Sequence, residues 1–300
     1  MAAWRDAIAQ VRAMYRHRHG RLPDLLRPRR FSEKMQWRKL FQRDPRFAVF
    51  SDKLAVRGYV AARLGEEVLI PLLWSGAAAE AIPFERLDPP YVLKPSHASG
   101  RHVVVTGAPD IPALRAAARD WLAYCHGTQM AEPGYFGIPR RLMAERFLAG
   151  EGGGPPVEHR LFTFSGRVRM IQTTLSLGPG AGWAREYYDR GWHRLRMELE
   201  YPPASLPLPA PERRGRMVEM AEALAAGTDH LRVDLYNVPA GIRVGELTLY
   251  SWSGLAPFRR DADDLWLGQF WEIERPVRQA LRAVALTGWA APASRYPDTA

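Results

Sequence analysis

The sequence predicts an α+β fold, because it contains several strand hairpins together with separate helices. Strand hairpins are indicated where apolar residues alternate around short turns rich in small residues, at 91–105, 159–171 and 231–249. Helices are indicated by apolar residues at helical spacing, at 1–20, 47–64, 111–126 and 212–226. The order strand, strand, helix, strand between residues 84 and 148 is typical of a small α+β lobe.

The hairpin at residues 231–249 carries two carboxylates, Asp234 and Glu246. A loop of about three residues, Pro239 to Gly241, would place Asp234 directly opposite Glu246. Like charges opposed on a sheet destabilise it unless a cation lies between them, so neutralising either one should leave the fold intact or slightly more stable. Hard oxygen ligands without nearby His or Cys favour Mg²⁺, and the hairpin therefore predicts a magnesium site. A hairpin with one solvated polar face is the alternative.

The hairpin at residues 91–105 has a turn of small residues, Ser96 to Gly100, directly after Lys94-Pro95. Small residues let backbone N–H groups approach an anion closely, and a lysine before them supplies a charge for phosphate. Lysine is rare in this chain, since only four of its 42 basic residues are lysines: Lys34, Lys39, Lys53 and Lys94. The turn is not a Walker A loop, because no Gly-Lys-Ser/Thr is present. An ordinary hairpin is the alternative.

The composition excludes several classes of protein. No apolar run reaches the roughly 18 residues that span a bilayer, and the start of the chain is too polar for a signal peptide. A single cysteine, Cys125, excludes an intrachain disulfide, so a cytoplasmic location is expected. The net charge of +10 suggests an acidic partner. An acidic glycan or phosphorylated lipid carrier is favoured over nucleic acid, because the chain lacks any recognisable nucleic-acid-binding pattern.

Segments at 51–57, 94–96, 141–148, 232–234 and 246–248 resemble, in that order along the chain, the motifs of the ATP-grasp superfamily. The resemblance implies ATP and Mg²⁺ as cofactors and two α+β subdomains that clasp ATP. It also implies three regions along the chain. They are a mainly helical N-terminal region at 1–83, a small ATP-grasp subdomain at 84–148, and a large subdomain at 149–300 that carries the metal-binding hairpin. A helix expected at Asp261–Trp289 would close the third of them.

Within that superfamily the chain is most similar to the TupA-like ATP-grasp family, named for a teichuronopeptide biosynthesis protein. The similar stretches lie between residues 28 and 270: 31–37, 52–57, 93–97, Tyr188-Asp189 with Trp192, 232–236 and 245–248. Two positions depart from the usual pattern. Glu158-His159-Arg160 stands where the family has Asp-Tyr-Lys, and Thr248 stands where the superfamily has Asn.

The resemblance assigns roles to individual residues. Nucleotide binding falls to Lys53, Lys94, Ser96, His97, Ser99 and Gly100, and to a hinge that meets adenine mainly through its backbone, formed by Glu145, Arg146, Phe147 and Leu148. The metal ligands are Asp234, Glu246 and Thr248. Arg232 would stabilise the transition state, with Arg160 in place of the family's lysine. Gly254, with Ser253, is expected to donate backbone N–H groups toward an oxyanion, and an ordinary turn is the alternative.

The implied activity is that of an ATP-dependent carboxylate–amine ligase, which forms an acyl phosphate and then a C–N amide bond while ATP becomes ADP. By resemblance, it would join an amino acid to a uronic-acid sugar or to a peptide of a surface polysaccharide in cell-envelope biosynthesis. The acceptor would be a small molecule or an acidic or lipid-linked glycan, which fits peripheral association with a membrane. The alternatives are a kinase acting on a sugar hydroxyl and a nucleotide-binding accessory protein of glycan assembly.

Overall fold

The computed structural model describes residues 2–150, 153–176, 182–199, 204, 207–273 and 278. The helices are α1 Ala2–His19, α2 Phe31–Phe41, α3 Arg46–Ser51, α4 Ala55–Leu64, α5 Ile111–Ala123, α6 His126–Met130, α7 Arg214–Leu224 and α8 Asp261–Gly268. The strands are β1 Leu72–Gly76, β2 Tyr91–Pro95, β3 Val103–Val105, β4 Leu142–Arg146, β5 Glu158–Phe164, β6 Arg167–Ser176, β7 Trp183–Tyr188, β8 Arg194–Leu195, β9 His230–Val238 and β10 Gly241–Thr248. None of the described helices is both long and apolar enough to cross a membrane.

Two antiparallel sheets confirm the α+β prediction. The small sheet has the order β1-β4-β2-β3, and the large sheet has the order β10-β9-β5-β6-β7-β8. The three hairpins expected from the sequence are present as β2–β3, β5–β6 and β9–β10. The small sheet already begins at Leu72 in β1, and Ala79 and Ile82 belong to its core. This lobe therefore includes residues upstream of the boundary expected at residue 84.

The large sheet is covered on both faces. Leu231, Val233 and Leu235 alternate along β9 and are fully buried, in one hydrophobic cluster with Met217 and Leu224 of α7. On the opposite face Phe31 of α2 packs edge-on against Phe162 of β5, with ring centroids 6.2 Å apart. The N-terminal helices therefore complete the core of the large lobe.

Two helices differ from the sequence prediction. The helix expected at 47–64 is divided at Asp52, whose carboxylate accepts a hydrogen bond from the Leu54 amide at 2.9 Å and so forms a turn. This turn carries Lys53. The helix expected at Asp261–Trp289 ends at Gly268, and its expected continuation beyond residue 273 lies outside the described residues apart from residue 278.

The register of the β9–β10 hairpin brings Asp234 opposite Glu246, as predicted, but for a different reason. The connecting loop has two residues, Pro239 and Ala240, rather than three. Gly241 pairs with Val238, and on that register residue 245 would face Asp234. A β-bulge at Gly245 inserts the extra residue, which shifts Glu246 into the opposed position.

Gly245 is required at the bulge by the closeness of the Tyr236 ring. A Cβ atom at position 245 would lie 2.7 Å from Cε2 of Tyr236. Replacing Gly245 by Ala should therefore displace the ring and lower the free energy of unfolding by about 1–3 kcal/mol. The control is Gly58→Ala in α4, where nothing lies within 4 Å of the added Cβ, and which should raise stability by about 0.5–1 kcal/mol. Urea denaturation of both variants measures the difference, and equal gains would show that the bulge tolerates a side chain.

His230 gives the protein an acid-sensitive core. It is fully buried against the ring of Phe164, and burial lowers its pKa to about 3, well below the usual 6.5 of a histidine. The unfolded chain takes up a proton below about pH 6.5, whereas the folded chain does not, so stability falls with decreasing pH by at most about 1.4 kcal/mol per pH unit from this residue. His230→Gln should reduce the slope of unfolding free energy against pH. His17→Gln, at an exposed position, should leave the slope unchanged.

Candidate active site between the two sheets

A cleft of about 540 Å³ lies between the two sheets. It is bordered by β2 and β4 of the small sheet, by β5, β9 and β10 of the large sheet, and by the turn before α4. The sequence-predicted residues that line it are Lys53, Lys94, Glu145, Arg146, Phe147, Leu148, Arg160 and Glu246. Residues distant in sequence therefore meet at one surface.

Asp234 is buried beside this cleft and forms an ion pair with Arg232. Arg232 donates two hydrogen bonds of 2.7 Å to its carboxylate, and Arg232 also donates to the hydroxyl of Thr248 at 3.0 Å. Arg160, opposite Asp234 on β5, has its Nε atom 3.8 Å from the same carboxylate. Burial raises the pKa of Asp234 to about 6, against the opposing charge of Arg232. Burial thus opposes ionisation of this carboxylate, whereas the neighbouring arginines favour it.

Glu246 is compensated from a different part of the chain. Lys53 lies 3.2 Å from its carboxylate and also donates a hydrogen bond of 2.7 Å to the carbonyl of Ala98, in the loop after β2. Partial burial raises the pKa of Glu246, but Lys53 and Arg232 outweigh it and bring the pKa down to about 2. The two opposed carboxylates therefore each have a cation of their own. This corrects the expectation that removing one of them would stabilise the fold, since the variant would leave a buried or half-buried cation unpaired.

Lys94 is held by Glu145 across the small sheet. The two side chains form an ion pair, and Arg57 of α4 donates to the other carboxylate oxygen of Glu145 at 3.0 Å. The side chain of Glu145 is thus engaged with two cations. The sequence prediction had emphasised only its backbone.

Two backbone amides of the predicted hinge donate hydrogen bonds within the protein. The amide of Arg146 donates to the carbonyl of Pro71 at 2.9 Å, and the amide of Phe147 donates to the carbonyl of Pro90 at 3.2 Å. Apolar side chains of Ile70 and Val92 line the cleft beside these residues. The end of β4 therefore forms a fixed, mainly apolar wall.

The loop after β2 divides into a buried and an exposed half. Ser96 and His97 are buried, and Nε2 of His97 lies within hydrogen-bonding distance, 3.0 Å, of the carbonyl of Trp121 in α5. Ser99 and Gly100 are exposed at its tip. The His97 side chain is thus directed to the small-lobe core, and burial lowers its pKa. This orientation argues against a contact between His97 and a nucleotide.

Gly254 lies away from the cleft, which argues against the catalytic role predicted for it. Its carbonyl accepts a hydrogen bond of 3.1 Å from Gln36 of α2, and a Cβ atom there would lie 2.6 Å from that of Met35. The amide of its neighbour Ser253 donates to the carbonyl of Tyr250 at 2.8 Å. The segment is an ordinary structural turn beneath α2, which was the alternative reading of the sequence.

Two polar residues of β6, Thr174 in the lining of the cleft and Gln172 next to Arg160, were missed by the sequence prediction. Thr174 lies directly opposite Glu158, and Gln172 lies directly opposite Arg160. Both Thr174 and Gln172 are buried, with side-chain atoms that have no hydrogen-bond partner among the described residues. The alternation of polar residues along β6 was the available signal. It was not decisive, because the sequence does not show which strands are neighbours.

The donors of the hairpin fit Mg²⁺. Asp234 and Glu246 offer carboxylate oxygens from opposed positions, and Mg²⁺ commonly takes one or two carboxylates and completes its shell with water and phosphate oxygens. In the part of the chain that the structure describes, no group of three or more His, Cys, Asp or Glu residues could hold a metal ion. Thr248 would have to give up its bond from Arg232 to serve as a ligand. These two carboxylates thus fit an ion whose remaining ligands are water and phosphate oxygens.

Three solved structures illustrate the similarity to known proteins. The ATP-grasp ligase PsnB complexed with minimal precursor has 14% sequence identity and a TM-score of 0.40, covering 80% of this chain and 62% of that chain. D-alanine–D-alanine ligase from Bacillus anthracis complexed with ATP has 13% identity and a TM-score of 0.45, covering 79% and 66%. N5-carboxyaminoimidazole synthetase from Staphylococcus aureus has 12% identity and a TM-score of 0.39, covering 67% and 44%. This chain spans less than two thirds of the length of each.

Family membership follows from a match over most of the sequence. No curated protein matches this chain. The model of the TupA-like ATPgrasp family matches residues 33–272, a range that includes every residue of the cleft described above. The resemblance seen in the sequence motifs is thereby confirmed, and this chain belongs to the TupA-like ATP-grasp family.

Proposed function

We propose that this protein binds Mg-ATP in the cleft and uses it to join a carboxylate to an amine. The observation that carries the proposal is the convergence of Lys53, Lys94 and Glu246 on one cleft, with Asp234 buried directly opposite Glu246. Two of the four lysines of the chain come from separate elements, and each is already paired with a carboxylate there. An anionic ligand that brings its own divalent cation has the charges to fit such a set.

When the triphosphate binds, the two lysines would exchange their carboxylate partners for phosphate oxygens. The phosphate oxygens would take Lys53 from Glu246 and Lys94 from Glu145, because charge-assisted contacts to phosphate replace those to carboxylate at similar strength. Glu145 would keep Arg57 as its cation. The adenine would lie against the apolar wall, where the amide of Leu148 is the donor left to it by this segment, since Arg146 and Phe147 donate internally.

Asp234 and Glu246 would hold the Mg²⁺ ion. When bound, the ion supplies charge neutralisation at the phosphate oxygens. Arg232 fixes the orientation of the Asp234 carboxylate through two hydrogen bonds. This orientation is set by the protein before any ligand arrives.

In the proposed reaction a carboxylate oxygen of the substrate bonds to the γ-phosphorus of ATP while the bond to the β-phosphate oxygen breaks, which yields an acyl phosphate and ADP. The amine nitrogen then bonds to the acyl carbon, inorganic phosphate leaves, and the nitrogen loses a proton. Arg232 and Arg160, which both lie next to Asp234, would stabilise the negative charge that grows on the acyl oxygens. Fixed guanidinium groups of this kind stabilise the transition state more than the ground state.

The substrate class is proposed from the polar lining and from the family. Thr174 and Gln172 offer neutral hydrogen-bonding groups beside two arginines, Arg160 and Arg185. Such a lining favours a carboxylate that also carries hydroxyl groups, such as a uronic-acid sugar, with an amino acid or peptide as the amine. A role in surface-polysaccharide assembly in the cytoplasm is consistent with this chemistry.

Lys94→Ala tests nucleotide binding. Loss of a charge-assisted contact should weaken ATP affinity by about 1–3 kcal/mol in the presence of Mg²⁺. The fold should persist, because Glu145 retains Arg57. Isothermal titration calorimetry measures the affinities, with the exposed Arg86→Ala as the control that should bind ATP normally. Equal affinity in the Lys94 variant and wild type would remove this lysine from the site.

Hydroxylamine trapping tests the chemistry. A ligase supplied with ATP, Mg²⁺, a competent uronic acid and hydroxylamine should release a hydroxamate, because hydroxylamine captures the acyl phosphate in place of the amine. Arg232→Lys should lower kcat more than ATP affinity, since a lysine keeps the charge near Asp234 but loses the bidentate geometry. Mass spectrometry separates the outcomes: a phosphorylated sugar without hydroxamate would identify a kinase, and ATP binding without any product would identify an accessory protein.

A further inference from the structure

The N-terminal tenth of the chain carries most of its excess charge. Residues 1–30 contain eight arginines and two aspartates, a net charge of +6 within a total of +10. This region contributes none of the residues that line the ATP cleft. Its charge is therefore not explained by the proposed function.

Three of these arginines form a stripe along α1. Arg5, Arg12 and Arg16 are exposed, and at 3.6 residues per turn they fall within about 40° of one another around the helix axis. The opposite side of α1 is fixed by buried Ala7 and Val11. Among the described residues none of the three arginines has an ion-pair partner. Arg12 and Arg16, four residues apart, repel each other.

The segment after α1 carries two exposed leucines. Leu22 is 46% exposed and Leu26 is 67% exposed. The segment is ordered, because the Asp24 carboxylate accepts hydrogen bonds from the amides of Leu26 and Arg27 at 3.0 and 2.8 Å. Leu25 packs against the hydrophobic cluster that includes residues of α1 and α2, so the segment is anchored to these helices. Of the five large apolar residues exposed in the described structure, two thus lie here.

Arg27 and Arg29 complete the surface. Both are exposed, and neither side chain has an ion-pair partner in the described part of the chain. We propose that this basic surface, formed by Arg5, Arg12, Arg16, Leu22, Leu26, Arg27 and Arg29, docks the protein on an anionic lipid bilayer. Arginines gain from the negative surface potential, and exposed leucines gain by entering the apolar boundary below the headgroups. Nucleic acid would use the arginines but would leave the leucines in water.

This inference is independent of the proposed function, and vesicle sedimentation of the full chain tests it. The protein should bind vesicles of phosphatidylcholine and phosphatidylglycerol, should not bind phosphatidylcholine alone, and should be released by high salt. Arg12→Glu with Arg16→Glu should weaken binding at least about tenfold, given the contribution of each charge near a lipid surface. Leu22→Ser with Leu26→Ser should also weaken binding about tenfold while the salt dependence remains.

Arg86→Glu is the matched control, because Arg86 is equally a charged surface residue, 83% exposed in its side chain, but lies in the small lobe. It should bind vesicles like the wild type, and circular dichroism should show the same fold for all variants. Absence of wild-type binding to anionic vesicles would overturn the proposal. So would unchanged binding of the double glutamate variant. Binding to duplex DNA that is lost in the glutamate variant and kept in the serine variant would assign the surface to nucleic acid instead.

Discussion

The pairing of buried charges at the junction of the two lobes is the constraint on which the rest of the structure depends. Asp234 is 1% exposed, and an uncompensated carboxylate in such a place costs several kcal/mol. Arg232 compensates it from within β9, whereas Glu246 is compensated by Lys53 from the turn before α4. Lys53 also bonds to the loop after β2. Compensation of the carboxylates on the β9–β10 hairpin therefore links the N-terminal region, the small lobe and the large lobe through Lys53.

The same principle explains why the N-terminal helices belong to the large lobe. Arg38 of α2 has no exposed surface and donates to Asp229 at 2.6 Å and to the carbonyls of Leu249 and His230, which lie at the ends of β10 and β9. The bonds lock α2 across the hairpin that carries Asp234 and Glu246. α1 is joined in turn to α2 and α8, through the hydroxyl contact between Tyr15 and Ser32 and the bonds from Ser32 to Asp264. The basic N-terminal residues and the cleft between the two sheets are therefore built on one continuous scaffold.

Much of the candidate site followed from local sequence pattern. Because side chains alternate between the two faces of a strand, the sequence predicted that Arg232 and Asp234 share one face. The rarity of lysine singled out Lys53 and Lys94. The order of the motifs gave the family. Other parts depended on long-range packing. Gly254 was predicted as an oxyanion donor from its spacing after Glu246, while only the fold shows that α2 packs against it. Thr174 and Gln172 were missed because their neighbours lie on another strand.

The sequence alone predicted the three hairpins, most of the helices and the chemical types of the site residues, because these depend on periodicity and on the side chains themselves. Tertiary structure decided the partners of each charge. Asp234 and Glu246 read in isolation are two repelling carboxylates, whereas in the fold Arg232 and Lys53 neutralise them one by one. Their opposition also rests on a bulge at Gly245, where the nearby ring of Tyr236 leaves no room for a Cβ atom. Charge compensation and close approach between strands act across space, and a linear pattern does not contain those distances.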